Sequence, residues 1–298
     1  MPRSSDLNGV VCACVTPVTN EYKIDVERLA KHAEAMLAAG CGFVSLFGTT
    51  GEGASFSSRE KCAALEALRN QGADMSRHIP AVMAASVDEA AMMLDRIDQL
   101  GCRAALIIPP YYYKAADNAA VVDFYEAALR CAGSPDLQVI LYNFPFFSGV
   151  TFDPALVQAM IDRLGSQIVG IKDSTGDLDA GKRLISEFPN LAIFTGDDRI
   201  LPAMVEAGGA GMIGGMINPY PDDALKLYKG PVTDEMAAVA KRRIEAVDVN
   251  GGLSVLKAML AMKLGDPDWA RCAPPLRAAS EETLAAVADA IAPDRIGH

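Results

Sequence analysis

Short runs of apolar, often β-branched residues alternate along the chain with longer segments whose apolar positions recur every three or four residues. The first kind predicts strands over 10–15, 42–47, 79–84, 103–108, 138–142, 168–172, 191–195 and 209–213. The second kind predicts helices between them, as over 25–39, 58–71, 88–100 and 118–131. Asp25, Ser58 and Asp153 sit where N-caps belong, and Pro154 suits a first helical turn. The strand candidates are apolar almost throughout rather than alternating, so both faces are expected to be buried, as in a parallel sheet. Eight such β/α units fit a closed (β/α)8 barrel. An open doubly wound sheet is the competing arrangement. It would place a glycine-rich loop after the first strand, where this chain has Thr16-Pro17.

After Gly230 the strand pattern stops. Segments 233–247, 254–264 and 280–291 read as three helices, separated by Asn250-Gly251-Gly252 and Pro274-Pro275, both good helix breakers. The expected organisation is therefore α/β, with a catalytic TIM barrel over 1–230 and a C-terminal three-helix extension over 231–298.

Composition narrows the function. A chain of 298 residues that is 51% hydrophobic can bury a large core. Its net charge of −11 disfavours nucleic acid and anionic membrane surfaces as partners. Residues 1–9 lack the apolar region of a signal peptide, and no apolar run is long enough to span a bilayer, so a cytoplasmic location is expected. Seven cysteines, at 12, 14, 41, 62, 102, 131 and 272, lie mostly in apolar runs and read as reduced, buried core residues. Cys12 and Cys14 have no second pair and no histidine close in sequence, so no metal site is expected. The histidines are His32, His78 and His298, none on a predicted catalytic loop, and no G-x-S-x-G elbow occurs.

A barrel gathers its chemistry at the C-terminal ends of its strands. There the chain places Gly48-Thr49-Thr50-Gly51-Glu52-Gly53, Pro109-Pro110-Tyr111-Tyr112-Tyr113, Tyr142-Asn143-Phe144-Pro145, Lys172-Asp173-Ser174 and Gly196-Asp197-Asp198. Lys172 closes the apolar run 168–171. Burial disfavours an ammonium and frees a neutral amine to condense with a ketone; a lysine that snorkels to solvent is the plainer alternative. Tyr142, one β/α unit earlier, falls on the neighbouring strand, either as a proton shuttle or as an aromatic filling the barrel mouth. Gly48 and Gly51 permit a sharp turn whose backbone N–H groups could receive a carboxylate, or simply end a strand. The Tyr111–Tyr113 run calls for cover, either a subunit contact or local packing.

Taken together, Gly48-Thr49-Thr50-Gly51-Glu52, Tyr142-Asn143-x-Pro145, Gly170-Ile171-Lys172-Asp173-Ser174 and Gly196-Asp197-Asp198 resemble the dihydrodipicolinate synthase/N-acetylneuraminate lyase superfamily of class I pyruvate-dependent aldolases. The resemblance covers about residues 8–290. It implies a Schiff-base Lys172, a proton-relay Tyr142, Thr49 hydrogen-bonded to that tyrosine, and Thr50 holding the pyruvoyl carboxylate. It also implies that Tyr112 is lent across a dimer interface and that Ile213 lines the site with its backbone. A dimer of dimers, no cofactor, a keto acid such as pyruvate and an aldehyde or sugar acid follow from the same resemblance.

One departure bears on the substrate. Lysine-biosynthetic members carry an arginine two residues past the proline; here Phe147 stands there, preceded by Phe146. A carboxylate would lose a charge-assisted contact worth roughly 1.5–3 kcal/mol. The leading expectation is thus a lyase or aldolase of 2-keto-3-deoxy acids. The alternatives are a Schiff-base dehydratase or deaminase of a keto-deoxy sugar acid or hydroxyproline-derived imine, a dihydrodipicolinate synthase-like condensation, and a non-enzymatic keto-acid sensor.

Overall fold

The computed structural model describes residues 6–114 and 116–291; residues 1–5 and 292–298, His298 among them, lie outside the described residues. Eight parallel strands, β1 Gly9–Ala13, β2 Phe43–Ser45, β3 Ala81–Val82, β4 Ala105–Ile107, β5 Val139–Asn143, β6 Ile168–Asp173, β7 Ala192–Thr195 and β8 Gly211–Gly214, pair in the order β2-β1-β8-β7-β6-β5-β4-β3. Two backbone hydrogen bonds of 2.8 Å, from Ile79 N–H to Val44 O and from Ala81 N–H to Leu46 O, join the two outer strands and close the ring. The closed barrel, rather than the open sheet, is therefore the architecture.

The strands look uniformly apolar because each face meets a different core. Val10 and Cys12 of β1 pack toward the helices, whereas Val11 and Ala13 fill the barrel with Ile79, Leu106 and Ile140. Period-two alternation is present in the fold but hidden in the sequence.

The helices are α1 Val26–Ala38, α2 Ser58–Asn70, α3 Val87–Gln99, α4 Asn118–Ala132, the single turn α5 Pro145–Ser148, α6 Pro154–Leu164, α7 Leu178–Glu187, α8 Leu201–Glu206 and α9 Pro221–Lys229. Beyond the barrel come α10 Asp234–Val249, α11 Leu253–Leu264 and α12 Glu281–Ala290. Asp25 accepts from Arg28 N–H at 3.0 Å and Asp153 from Leu156 N–H at 2.8 Å, both as expected caps. Ser58 does not cap α2. Ser57 does, with extended backbone and its hydroxyl accepting from Glu60 N–H at 3.2 Å, while Ser58 is buried as the first helical residue. Either serine could serve by residue type; the position three residues before Glu60 decides it. Of the cysteines, Cys131 is exposed and Cys102 half-buried, against the expectation of a wholly buried set. Cys131 lies off the stripe by which α4 buries Val121, Val122, Tyr125, Ala128 and Leu129. Among the described residues no helix is long and apolar enough to cross a membrane.

The extension shares a core with the barrel mouth, since Val15 and Met216 pack among Ile244, Val255, Leu260 and Trp269. Helix α11 is apolar nearly all round, which marks a buried helix. Lys257 stands in its middle, and its ammonium meets Glu52, with both side chains fully inaccessible (0% exposed). Lys257 also donates to Thr16 O at 2.8 Å, and the second Glu52 oxygen accepts Ala273 N–H at 2.6 Å. Removing one member leaves the other charge buried alone, which typically costs about 3–5 kcal/mol. We expect Lys257→Met to lose stability on that scale in urea unfolding. The double variant Lys257→Met/Glu52→Gln should recover part of the loss; wild-type stability in the single variant would remove the pair from the fold's supports.

Candidate active site

The chain between β2 and α2 turns sharply, and the turn is built from two left-handed residues, Phe47 (φ 61°) and Glu52 (φ 54°). Glycine is required at 51, where a Cβ would lie 2.9 Å from Cys14 O and Phe47 N, and at 53, where it would collide with Phe47 O. Gly48 has no such need: a Cβ there would meet only Ala81 Cβ, at 3.7 Å. The constraint thus falls on Gly51 and Gly53 rather than on Gly48 and Gly51, because the turn folds back on the Phe47 backbone. Thr16 Oγ1 donates to Gly51 O at 2.6 Å, and Glu52 is anchored from below by Lys257. Thr49 and Thr50 sit on top of this turn.

Strands β5 and β6 pair so that Tyr142 stands beside Lys172. Lys172 is 5% exposed and Tyr142 1% exposed. The Lys172 Nζ lies 4.2 Å from the centre of the Tyr142 ring, and the Tyr142 hydroxyl hydrogen-bonds Thr49 Oγ1 at 3.1 Å. The next residues along the two strands brace them: Asn143 Nδ2 donates to Asp173 Oδ1 at 3.0 Å, and Thr175 donates to both Asp173 oxygens at 3.1 Å. Burial pushes the Asp173 carboxyl above its ordinary range, partly offset by those donors.

These groups line a cavity of about 760 Å³ at the C-terminal end of the barrel. Of the residues singled out from sequence, Lys172, Tyr142, Thr49, Thr50, Ile213 and Phe147 line it. Gly48 and Tyr112 do not, and Tyr112 is 77% exposed. The extension contributes lining that the sequence reading missed, namely Ile244, Val247 and Asp248 of α10 and Leu253 and Leu256 of α11. The available signal was the all-round apolar character of α11, which a surface helix would not have.

Across the mouth, Asp197 is held by Arg199, whose Nε reaches both carboxylate oxygens at 3.0 Å. Asp198 is buried, and desolvation with the neighbouring Asp197 charge raises its carboxyl to about 7.

One grouping contradicts the sequence reading. Helix α1 brings His32 to Cys12 and Cys14, with one donor atom of each within 4.8 Å of the others. Helix–strand packing, not sequence proximity, supplies the histidine. Burial drives the Cys12 thiol well above its ordinary range, which favours a packed, protonated thiol over a ligand thiolate. The His32 ring is engaged elsewhere. Buried Asn218 donates through Nδ2 to Ala13 O at 2.8 Å and Gly215 O at 2.7 Å. Its Oδ1 accepts Val15 N–H at 3.0 Å and faces His32 Nε2 at 2.7 Å. Because the amide orientation is fixed by these partners, His32 must carry its proton on Nε2.

Asp198 generates a pH prediction. Its folded value, about 7, lies above the ordinary 3.8, so the folded chain holds a proton that the unfolded chain has lost across that window. Stability therefore falls as pH rises through the window, by at most about 1.4 kcal/mol per pH unit from this group. Asp198→Asn should flatten the fall relative to wild type, measured by urea unfolding at pH 5 and pH 8; parallel curves would dismiss the assignment.

Residues 6–293 match the dihydrodipicolinate synthetase family. An uncharacterized DapA-like lyase of Chloroflexus aurantiacus is 31% identical over 283 residues, covering 93% of this chain and 94% of the relative. The crystal structure of dihydrodipicolinate synthase from Agrobacterium tumefaciens superposes with a TM-score of 0.85 at 29% identity, covering 96% of this chain and 98% of that one. A sialic acid aldolase of Ruminococcus gnavus, a catalytic lysine mutant, superposes with a TM-score of 0.86 over 98% of this chain and 97% of its own; at 21% identity that likeness speaks for the fold alone. With a family match over nearly its whole length, the chain belongs to the dihydrodipicolinate synthetase family, the class I pyruvate-dependent aldolases and lyases.

Proposed function

We propose that this protein is a Schiff-base aldolase or lyase in which Lys172 condenses with pyruvate or the 2-keto end of a longer acid. The reading rests on one observation: a buried amine against a buried phenol that is itself bonded to a threonine. Lys172 Nζ attacks the keto carbon, and the carbinolamine loses its oxygen as water, leaving an iminium. Tyr142 delivers the proton that this water takes away and recovers it later, with Thr49 as the next group in the relay. The iminium draws electrons from the bond between C3 and C4. Cleavage releases an aldehyde and leaves an enamine; protonation at C3 and hydrolysis release pyruvate and restore the amine. Condensation is the reverse. The chemistry needs no cofactor.

Thr50 and the N–H groups of the turn that Gly48 opens are assigned to the keto-acid carboxylate. Ile213 is assigned to the wall beside the lysine, which agrees with its place in the cavity lining. Tyr112, exposed and outside the cavity of its own chain, is assigned to the relay of a second copy, within a dimer of dimers. A cytoplasmic location belongs to the same proposal. A synthase-like condensation is favoured by the similarity to the Agrobacterium dihydrodipicolinate synthase. Phe147 lines the cavity where that reaction would call for a cation.

Incubation with pyruvate and borohydride should add a reduced pyruvate to Lys172, read by peptide mass; no adduct would point instead to a keto-acid sensor. Lys172→Ala should abolish turnover, and Tyr142→Phe should slow it by about 10²–10⁴-fold. Free pyruvate among the products supports the lyase, whereas a dehydrated keto acid would move the assignment to a dehydratase or deaminase. Normal turnover by Lys172→Ala would refute the mechanism outright.

A further inference from the structure

The reaction leaves open what the aldehyde half is, and the cavity lining bears on it. A chain of rings runs outward from the lysine. Tyr142 and Phe144 have centroids 5.8 Å apart, Phe144 and Phe147 stand edge-to-face at 4.9 Å, and Phe147 and Phe146 stand edge-to-face at 5.0 Å. All four rings line the cavity that holds Lys172. Phe147 is 46% exposed, so part of its ring surface remains uncovered beside the reacting centre. More apolar lining comes from Met216, Ile244, Val247, Leu253 and Leu256.

Part of the polar lining is already engaged by the protein. Asp197 accepts from Arg199 through both oxygens, and Arg199 is spent on that pair. Thr175 Oγ1 donates to Asp173 and accepts Asp177 N–H at 3.2 Å. Lys172 and Arg199 are the lysine and arginine residues of the lining, and the first is consumed by the keto acid. Three carboxyl groups, Asp197, Asp198 and Asp248, complete the wall. An anionic aldehyde would meet acid without a free cation. Against a polyol, the wall offers a run of aromatic surface that a ring covers better than a hydroxylated chain.

We infer that the acceptor aldehyde is aromatic, so that the cleavage substrate is a 4-aryl-4-hydroxy-2-oxobutanoate. This rests on the Schiff-base reading above. In the condensing direction the enamine C3 attacks the aryl aldehyde carbon, the C3–C4 bond forms, and the carbonyl oxygen takes a proton to become the 4-hydroxyl. Water then hydrolyses the iminium, returning the amine. The aryl ring continues the ring sequence beyond Tyr142, in edge or offset contact with Phe144 and Phe147, an arrangement that binds beyond the area it covers.

The test compares kcat/KM for benzaldehyde, glyceraldehyde and glyoxylate as acceptors with pyruvate, in wild type and in Phe147→Ala. Borohydride trapping with pyruvate alone is run on both proteins. Benzaldehyde should lead the other two by at least about ten-fold in wild type, and the benzaldehyde-to-glyceraldehyde ratio should fall by about ten-fold in Phe147→Ala, the scale on which an apolar pocket discriminates. A preference for glyceraldehyde or glyoxylate, equal rates, or an unchanged ratio in the variant overturns the aromatic assignment while an intact Lys172 adduct preserves the Schiff-base reading. Absence of the adduct overturns both.

Discussion

A carboxylate sits at zero exposure under the turn that carries Thr49 and Thr50, and it can do so only because an ammonium is buried with it. Glu52 is wound into the left-handed region by that turn, which aims its side chain inward. Lys257 arrives from α11, Ala273 N–H from the segment after it, and Thr16 from the end of β1. Four separate stretches of chain therefore meet at one buried ion pair. The turn that carries Thr49 and Thr50 takes its shape from an element that lies more than two hundred residues away, and the barrel mouth and the extension are supported by the same contact.

The rest of the site is set by strand register. In a parallel barrel the neighbours of a residue are fixed by backbone hydrogen bonds, so Tyr142 beside Lys172 follows from how β5 and β6 pair. Gly170 lets β6 run close to Ala192 O, and a Cβ there would sit 2.5 Å from that oxygen. The bracing amide and carboxylate of Asn143 and Asp173 lie one residue further along the same pair. An amine and a phenol held on adjacent strands have little freedom to lose when a ketone binds, which is what positioning chemistry requires.

Much of this was legible in the sequence. Eight apolar runs with intervening helical periodicity gave the barrel, and Lys172, Tyr142, Thr49, Thr50, Ile213 and Phe147 fall in one cavity as the strand ends suggested. What escaped the reading were properties that depend on three dimensions. The choice of Ser57 over Ser58 as cap depended on which hydroxyl faces the Glu60 amide. The special glycines shifted to 51 and 53 because the turn folds back on Phe47. His32 met Cys12 and Cys14 only through helix–strand packing. The lining from α10 and α11 escaped because the apolar character of α11 shows that it is buried but not that it roofs a pocket, and α10 reads as an ordinary amphipathic helix.

Asn218 joins β1 to the chain after β8 with every hydrogen-bonding position of its amide used. An aspartate there would bring a negative oxygen against the carbonyls of Ala13 and Gly215. Asparagine side chains are lost to aspartate over time mainly when the following backbone nitrogen attacks the amide carbon. Here that nitrogen belongs to Pro219, which has no hydrogen to give up. The seam between the first and last strands is thus fastened by a residue whose sequence neighbour guards it against spontaneous chemical ageing.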